Sequence, residues 1–182
     1  MKKQNLVKIL STNRFEDHRG FFTETYNSKE FKNLGITDHF VQDNQSYSKY
    51  NQTLRGLHYQ APPYAQAKLV RCVRGAIFDV GVDIRRGSPT YGQWAGYDLT
   101  AENGLQLYVP VGFAHGFVTL EKNTEVVYKC SNYYEPQLEG AIRWDSCGIN
   151  WPSLVDPILS EKDATAPVLA DFNSPFIYGE NS

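Results

Sequence analysis

The sequence predicts an all-β chain, an antiparallel sandwich or small barrel of the jelly-roll kind with a few short helices at its periphery. Three observations carry that expectation. Aromatic residues make up 14% of the 182 residues and 14 glycines are scattered through them, which suits pleated surfaces and tight turns better than long helices. Period-two alternation recurs in short segments separated by turn signals. Helical periodicity is confined to a few short stretches, so the crossover helices that parallel sheets need are missing.

Taken in chain order, the first element is a short helix over Ser28 to Leu34, with Ser28 as its cap and Phe31 and Leu34 facing inward. Lys68 to Arg74 (KLVRCVR) reads as a strand leading through Arg74-Gly75 into the clearest strand of the chain, Ile77 to Ile84. There Phe78, Val80, Val82 and Ile84 share one face, while Ile77, Asp79, Gly81 and Asp83 share the other, so the second face carries acids. Gly87-Ser88-Pro89, Glu102-Asn103-Gly104 and Pro110-Val111-Gly112 mark turns around a further strand at Leu105 to Val109. Glu125 to Cys130 is another strand, with Val126, Tyr128 and Cys130 on one face and Val127 and Lys129 on the other. A second short helix falls at Ser160 to Ala164. No repeat period, linker or low-complexity segment divides the chain, and a chain this long buries roughly 70% of its unfolded surface as one unit, so residues 1–182 are expected to form a single domain.

Composition excludes several classes of function. Lys and Arg number 18 against 20 Asp and Glu, and no basic block is present, so a nucleic-acid partner is not expected. The opening stretch Met1 to Leu10 has no continuous apolar core and no run approaches the roughly 20 apolar residues of a membrane span, so no membrane partner is expected. Cys72, Cys130 and Cys147 are odd in number and lack CxxC spacing, which argues against disulfides and zinc and points to a reducing cytoplasm. Two glycosylation tripeptides, at Asn44 and Asn51, carry no weight without a secretory signal.

The usual signatures of dinucleotide, P-loop, serine-hydrolase and zinc-protease chemistry are missing. What remains are segments richer in polar residues than plain β structure requires, two of which centre on a histidine: Leu54 to Gln60 and Gly112 to Phe117. An imidazole titrates near neutral pH and suits general base work, so His58 is a candidate base, against the plainer reading of a satisfied structural histidine. His115 reads either as a site residue or as a turn histidine bonded to backbone. Jelly rolls often bind metal through a close His pair and a Glu, but here Gln60 stands where a second ligand would be wanted and no HxH occurs, so no metal is expected. Tyr128 is either packed core or a phenol able to donate a proton. Arg55, Lys68, Arg71 and Arg74 are either a solvated face or a diphosphate clamp.

Read together, DHRGFFTETY, FVQDNQS, TLRGLHYQ, AQAKLVRCVRG, IFDVGVDIRRGSPTYGQW, PVGFAHGF, VYKCSNYY and SEKD resemble, in order and spacing, the dTDP-4-dehydrorhamnose 3,5-epimerase family, the RmlC-type sugar-nucleotide epimerases. The match runs from about Phe15 to Leu169. It implies a cupin-like antiparallel jelly roll, a homodimer that exchanges N-terminal strands, no cofactor and no metal, and a nucleoside-diphosphate 4-keto-6-deoxy sugar as substrate. On the matching positions, His58 corresponds to the base, Tyr128 to the acid and Asp163 to the aspartate that orients the base. Arg19, Glu24, Gln42, Asn44, Arg55, Lys68, His115, Glu139 and Lys162 correspond to substrate-contacting positions, and Tyr134 to the aromatic that stacks on the nucleobase. The segment Trp144 to Pro152 is shorter than the family's usual pattern.

The implied reaction inverts C3, C5 or both, because a C4 ketone acidifies the neighbouring C–H bonds by delocalising charge onto oxygen, where Lys68 is positioned to stabilise it. The same His, Tyr and Asp do not separate a double epimerase on dTDP-4-dehydro-6-deoxyglucose from a single-site epimerase on another nucleotide sugar, such as a GDP-linked one. A 3,4-ketoisomerase of similar fold and a non-catalytic sugar-binding module are the remaining readings. The module is disfavoured because a binder needs no acid and base on opposite faces.

Overall fold

The computed structural model describes residues 7–152 and 155–179. Twelve strands and two short α-helices follow in chain order: β1 (Lys8–Leu10), β2 (Arg14–Asp17), β3 (Gly20–Thr23), α1 (Ser28–Asn33), β4 (Gln42–Ser48), β5 (Leu54–Gln60), β6 (Lys68–Arg74), β7 (Ala76–Asp83), β8 (Trp94–Thr100), β9 (Gln106–Val109), β10 (Phe113–Thr119), β11 (Thr124–Cys130), β12 (Glu139–Ala141) and α2 (Glu161–Ala164). Two five-stranded sheets carry the fold, one ordered β1-β9-β6-β11-β4 and the other β12-β5-β10-β7-β8, with β2 and β3 as a separate hairpin. Every strand pairing in these sheets is antiparallel. The architecture is the jelly roll the alternation predicts.

β6 and β7 are neighbours in sequence yet belong to different sheets. The corner is Gly75, at φ +77, where a Cβ would come within 2.5 Å of Thr124 Oγ1, so only glycine lets the chain cross there. The main core lies between the sheets and joins Val70, Cys72, Leu107 and Val126 from the first to Ile77, Leu99, Phe113 and Phe117 from the second. β7 is buried on both faces: Ile77 enters this core, while Val80 and Val82 join a second cluster with Leu57, Ile142 and Phe176. Its acid-bearing face is therefore the one that points between the sheets, and Asp79 and Asp83 are fully buried there.

α1 differs from expectation by one residue. Its cap is Asn27, whose Oδ1 accepts from Lys29 N at 3.0 Å, so Ser28 is the first helical residue. Phe31 is buried with Ile36, Leu69 and Tyr108, but Leu34 is left at the C-cap, 53% exposed, because the helix ends before its last turn can bring it round. α2 matches its prediction, with Ser160 as cap accepting from Asp163 N at 3.1 Å. The three cysteines are free and buried. Among the described residues no helix is long and apolar enough to cross a membrane.

Candidate active site

A cavity of about 450 Å³ opens between the two sheets. Its walls come from opposite sides of the sandwich: Arg55 and His58 on β5 and His115 on β10 from the second sheet, Lys68 on β6 and Tyr128 on β11 from the first. Period-two alternation turns His115, Lys68 and Tyr128 inward on their strands, whereas Arg55 and His58, three residues apart, share the inward face of β5 because the β5–β10 register shifts by one between them. Gly56 makes the approach of β5 to β10 possible: at φ +134, with a would-be Cβ 2.5 Å from Gly116 Cα, it admits no side chain. The result places His58 directly opposite His115 in the strand register.

His58 Nε2 lies 2.6 Å from Asp163 Oδ1, although the two are 105 residues apart. The segment before α2 is held against β5 by Leu54 N donating to Ile158 O at 3.0 Å and Ile158 N donating to Gln52 O at 2.9 Å, so the helix cap delivers Asp163 to the ring. Burial alone would raise the Asp163 pKa, but hydrogen bonds from His58, Ser160 and the Gly56 backbone outweigh it and hold the carboxyl below its ordinary range. A carboxylate only accepts, so this contact assigns the ring proton to Nε2 and leaves the Nδ1 lone pair free. His58 remains 27% exposed at its side chain, open to the cavity, while Asp163 is 4% exposed behind it.

Across the cavity, burial pushes the Tyr128 phenol pKa up, and Cys130 and Glu139 push it the same way. It therefore holds its proton through neutral pH. Lys68 Nζ sits 5.9 Å from the centre of the Tyr128 ring, and burial lowers its pKa below that of an ordinary lysine. An acidic ammonium of this kind is a good donor to a developing oxyanion.

His115 lies within β10, not in a turn, and its Nε2 contacts the Asp79 carboxylate at 2.7 Å, not backbone. That corrects the turn reading: of its flanking glycines, Gly116 lets β5 approach, and only Gly112, at φ +85, belongs to the turn before the strand. Asp79 is the residue that motif reading passed over. Its signal was present in the acid-bearing face of β7, but which strand would lie beside it was not legible.

A smaller adjoining pocket is lined by Gln42, Asn44, Tyr134 and Glu139, and shares His58, Lys68 and Tyr128 with the main cavity. Gln42 Nε2 donates to Asn44 Oδ1 and Gln42 Oε1 accepts from Tyr134 N, each at 3.0 Å. Glu139 Oε2 accepts from the Tyr134 hydroxyl at 2.8 Å and pairs with Lys162 Nζ at 2.5 Å. Burial alone would raise the Glu139 pKa, but these two partners bring it below the ordinary carboxylate range. Arg55 is steered along the rim by Ser48 Oγ at 3.3 Å and the Tyr47 carbonyl at 3.2 Å.

Four cations or acids singled out in the sequence do not join this constellation. Arg19 sits at the tip of the β2–β3 hairpin, bonded to Asp17 at 2.6 Å, and Glu24 follows the hairpin and accepts from Asn27 Nδ2 at 3.0 Å. Arg71 points to the far face of the first sheet, into a separate cavity of about 390 Å³ where Asp43 and Lys129 pair at 2.8 Å and no histidine is present. Arg74, at the end of β6, faces Glu125 at 3.6 Å. A clamp of all four basic residues is thus replaced by Arg55 and Lys68 alone, since alternation along β6 sends Arg71 outward and the end of the strand carries Arg74 away. Among the described residues no group of three or more His, Cys, Asp or Glu side chains is disposed to hold a metal ion.

The arrangement has an imidazole with a free lone pair on one wall, a protonated phenol on the other, and an ammonium beside the phenol. Comparison with known proteins agrees with that chemistry. The family profile described as dTDP-4-dehydrorhamnose 3,5-epimerase matches residues 4–171. A dTDP-4-dehydrorhamnose 3,5-epimerase of Salmonella typhimurium is 55% identical over 166 residues, spanning 90% of each chain. The Legionella pneumophila dTDP-6-deoxy-D-glucose-3,5-epimerase, solved in complex with dTDP-4-keto-L-rhamnose, has a TM-score of 0.90 at 45% identity, covering 94% of this chain and 92% of that one. The Bacillus anthracis dTDP-4-dehydrorhamnose 3,5-epimerase, solved with TDP and PPi bound, has a TM-score of 0.87 at 50% identity, covering 89% and 93%.

Proposed function

The chain belongs to the dTDP-4-dehydrorhamnose 3,5-epimerase family and is an isomerase of nucleotide-linked sugars, and from that premise we propose how its own residues carry the reaction. The substrate is a nucleoside-diphosphate 4-keto-6-deoxy sugar, dTDP-4-dehydro-6-deoxyglucose, and the product is dTDP-4-dehydrorhamnose. His58 Nδ1 removes the proton from the carbon next to the ketone, while Asp163 holds the ring in the required tautomer and stabilises the imidazolium that forms. The electron pair left on carbon delocalises onto the C4 oxygen, where Lys68 donates a hydrogen bond to the enolate. Tyr128 returns a proton from the opposite face, which inverts the centre. The ketone supplies the acidity, so the reaction needs no cofactor.

The observation that supports this reading best is the position of His58 and Tyr128 on opposing sheets with one cavity between them. Its volume of about 450 Å³ falls within the roughly 300–1,000 Å³ usual for small-molecule sites. Arg55, His115, Glu139 and Lys162 contact the sugar and diphosphate, and Gln42, Asn44 and Tyr134 receive the nucleoside, with Tyr134 stacking on the base. Arg19 and Glu24 reach the cavity of a partner copy in a homodimer. Support for that comes from the β2–β3 hairpin, where Phe15, Phe21 and Phe22 are 63%, 55% and 70% exposed and suit burial against a second chain. The whole chain acts as one domain in the cytoplasm, with no nucleic-acid partner.

Turnover in deuterated buffer tests the reaction directly. With dTDP-4-dehydro-6-deoxyglucose, deuterium is expected at both C3 and C5. Label at one carbon alone would make the chain a single-site epimerase, and a carbonyl moved to C3 would make it a ketoisomerase. No exchange with the dTDP sugar but exchange with a GDP-linked one would change the nucleotide assignment.

A further inference from the structure

Gln60 occupies the strand position where a related jelly roll would place a second metal ligand, two residues beyond His58 on the same face of β5, and both side chains line the smaller pocket. It is 3% exposed, and its amide is fully used by backbone. Nε2 donates to the Tyr133 carbonyl at 2.9 Å and to the Tyr64 carbonyl, and Oε1 accepts from Glu135 N at 2.9 Å. These contacts bracket Tyr134 on both sides, and Gln42 takes the remaining backbone N–H, that of Tyr134 itself. The loop between β11 and β12 that carries the exposed aromatic is therefore fixed by a side chain from the strand that carries the base.

We propose that Gln60 is a positioning residue for nucleotide recognition: it pins the Tyr133–Glu135 loop to β5 so that Tyr134 is already set to receive the nucleobase at a fixed offset from His58. This rests on the reading above that Tyr134 stacks on the base. The site needs one acceptor and two donors from a single neutral side chain, which glutamine supplies. Glutamate would set a carboxylate against two carbonyls, methionine offers nothing to them, and asparagine falls a methylene short. The register adds a second tie, because Gln60 lies directly opposite Glu139, whose carboxylate accepts from the Tyr134 hydroxyl and pairs with Lys162, the residue before Asp163. The two ends of the substrate site are thus referenced to positions 58 and 60 of one strand. A loop ordered before the ligand arrives does not have to be ordered by it, and that difference appears in binding and not in the chemical step.

The test is a double-mutant cycle of Gln60→Met and Tyr134→Ala, read by calorimetric titration of dTDP and by steady-state turnover. Gln60→Met is expected to raise Kd for dTDP and KM about tenfold, as for the loss of a buried set of hydrogen bonds, while kcat stays within about threefold of wild type. Combined with Tyr134→Ala it should add little more, since both changes remove the same positioned ring. Normal dTDP affinity in Gln60→Met beside weakened binding in Tyr134→Ala, effects that multiply, or a fall in kcat with KM unchanged would each overturn the role given to Gln60. Tyr134→Ala binding dTDP like wild type would instead remove the stacking reading, and with it the route through which Gln60 acts. Should Gln60→Met not fold, Gln60→Asn takes its place in the same cycle.

Discussion

Two histidine–aspartate pairs face each other across adjoining strands of one sheet, and they differ in almost everything except chemistry. His58 and His115 are register partners on β5 and β10, and each ring nitrogen meets a carboxylate oxygen, at 2.6 and 2.7 Å. The Asp163 of the first pair arrives from a four-residue helix 105 positions away, while the Asp79 of the second lies on the strand next door. His58 is 27% exposed at its side chain and His115 is 7% exposed. A base must present a lone pair to substrate and exchange its proton afterwards, which requires an open ring backed by a partner held from outside the sheet. A histidine built into the sandwich with its aspartate can keep an orientation but has little access to solvent protons. In the mechanism proposed above, the open pair serves proton transfer and the buried pair holds His115 in a fixed orientation toward the substrate, and the difference in exposure is what assigns the roles.

The largest expected effect breaks that assignment if it fails. His58→Asn should lower kcat by about 10²- to 10⁴-fold, the range for a general base, while the unfolding midpoint stays near wild type because the ring already borders the cavity. Exchange of the C3 and C5 protons with solvent, followed by NMR, should fall in parallel. A variant with near-normal exchange would mean that the open pair is not the base.

A middle-sized effect sharpens the contrast on stability. Asp79→Leu leaves the His115 N–H buried beside an apolar chain, which should cost about 1–3 kcal/mol and lower the thermal midpoint by several degrees. Asp163→Leu should cost less stability and more rate, because solvent reaches His58 once the carboxylate is gone. Thermal denaturation and turnover of both variants check this, and equal stability losses would erase the distinction between the pairs.

How much of this was legible in the sequence follows the same division. Residues that announce themselves by type and alternation were found: Lys68 to Arg74 is a strand at both predicted ends, and Tyr128 faces inward as its period requires. Partners that depend on which strands lie side by side were not. Asp79 was visible as an acid on one face of a strand, but its contact with His115 needs the β7–β10 register, and no local pattern contains it. Leu54 to Gln60 and Phe113 to Thr119 are strands although their polar content set them apart, because a site lined by both sheets spends inward positions on polar groups. Gly75 read as a turn between neighbouring strands, and local sequence does not say whether such a turn folds back within a sheet or crosses to the other. The cap of α1 was missed by one residue because Asn27 and Ser28 are both good caps and only backbone geometry chooses between them.

The smallest expected effect concerns acid, and it separates the pairs by their protons. Asp163 has a folded-state pKa below the ordinary carboxylate value of 3.8, so the unfolded chain binds its proton first as pH falls. The stability contributed by the ionised carboxylate is therefore fully present above pH 3.8 and is lost as pH drops below it through the lower folded value. The gap in denaturant-measured stability between wild type and Asp163→Leu should narrow only in that acid window. A gap that holds its size well below pH 3.8 would mean that Asp163 stabilises by packing and capping alone, and that His58 is not held by a charged partner.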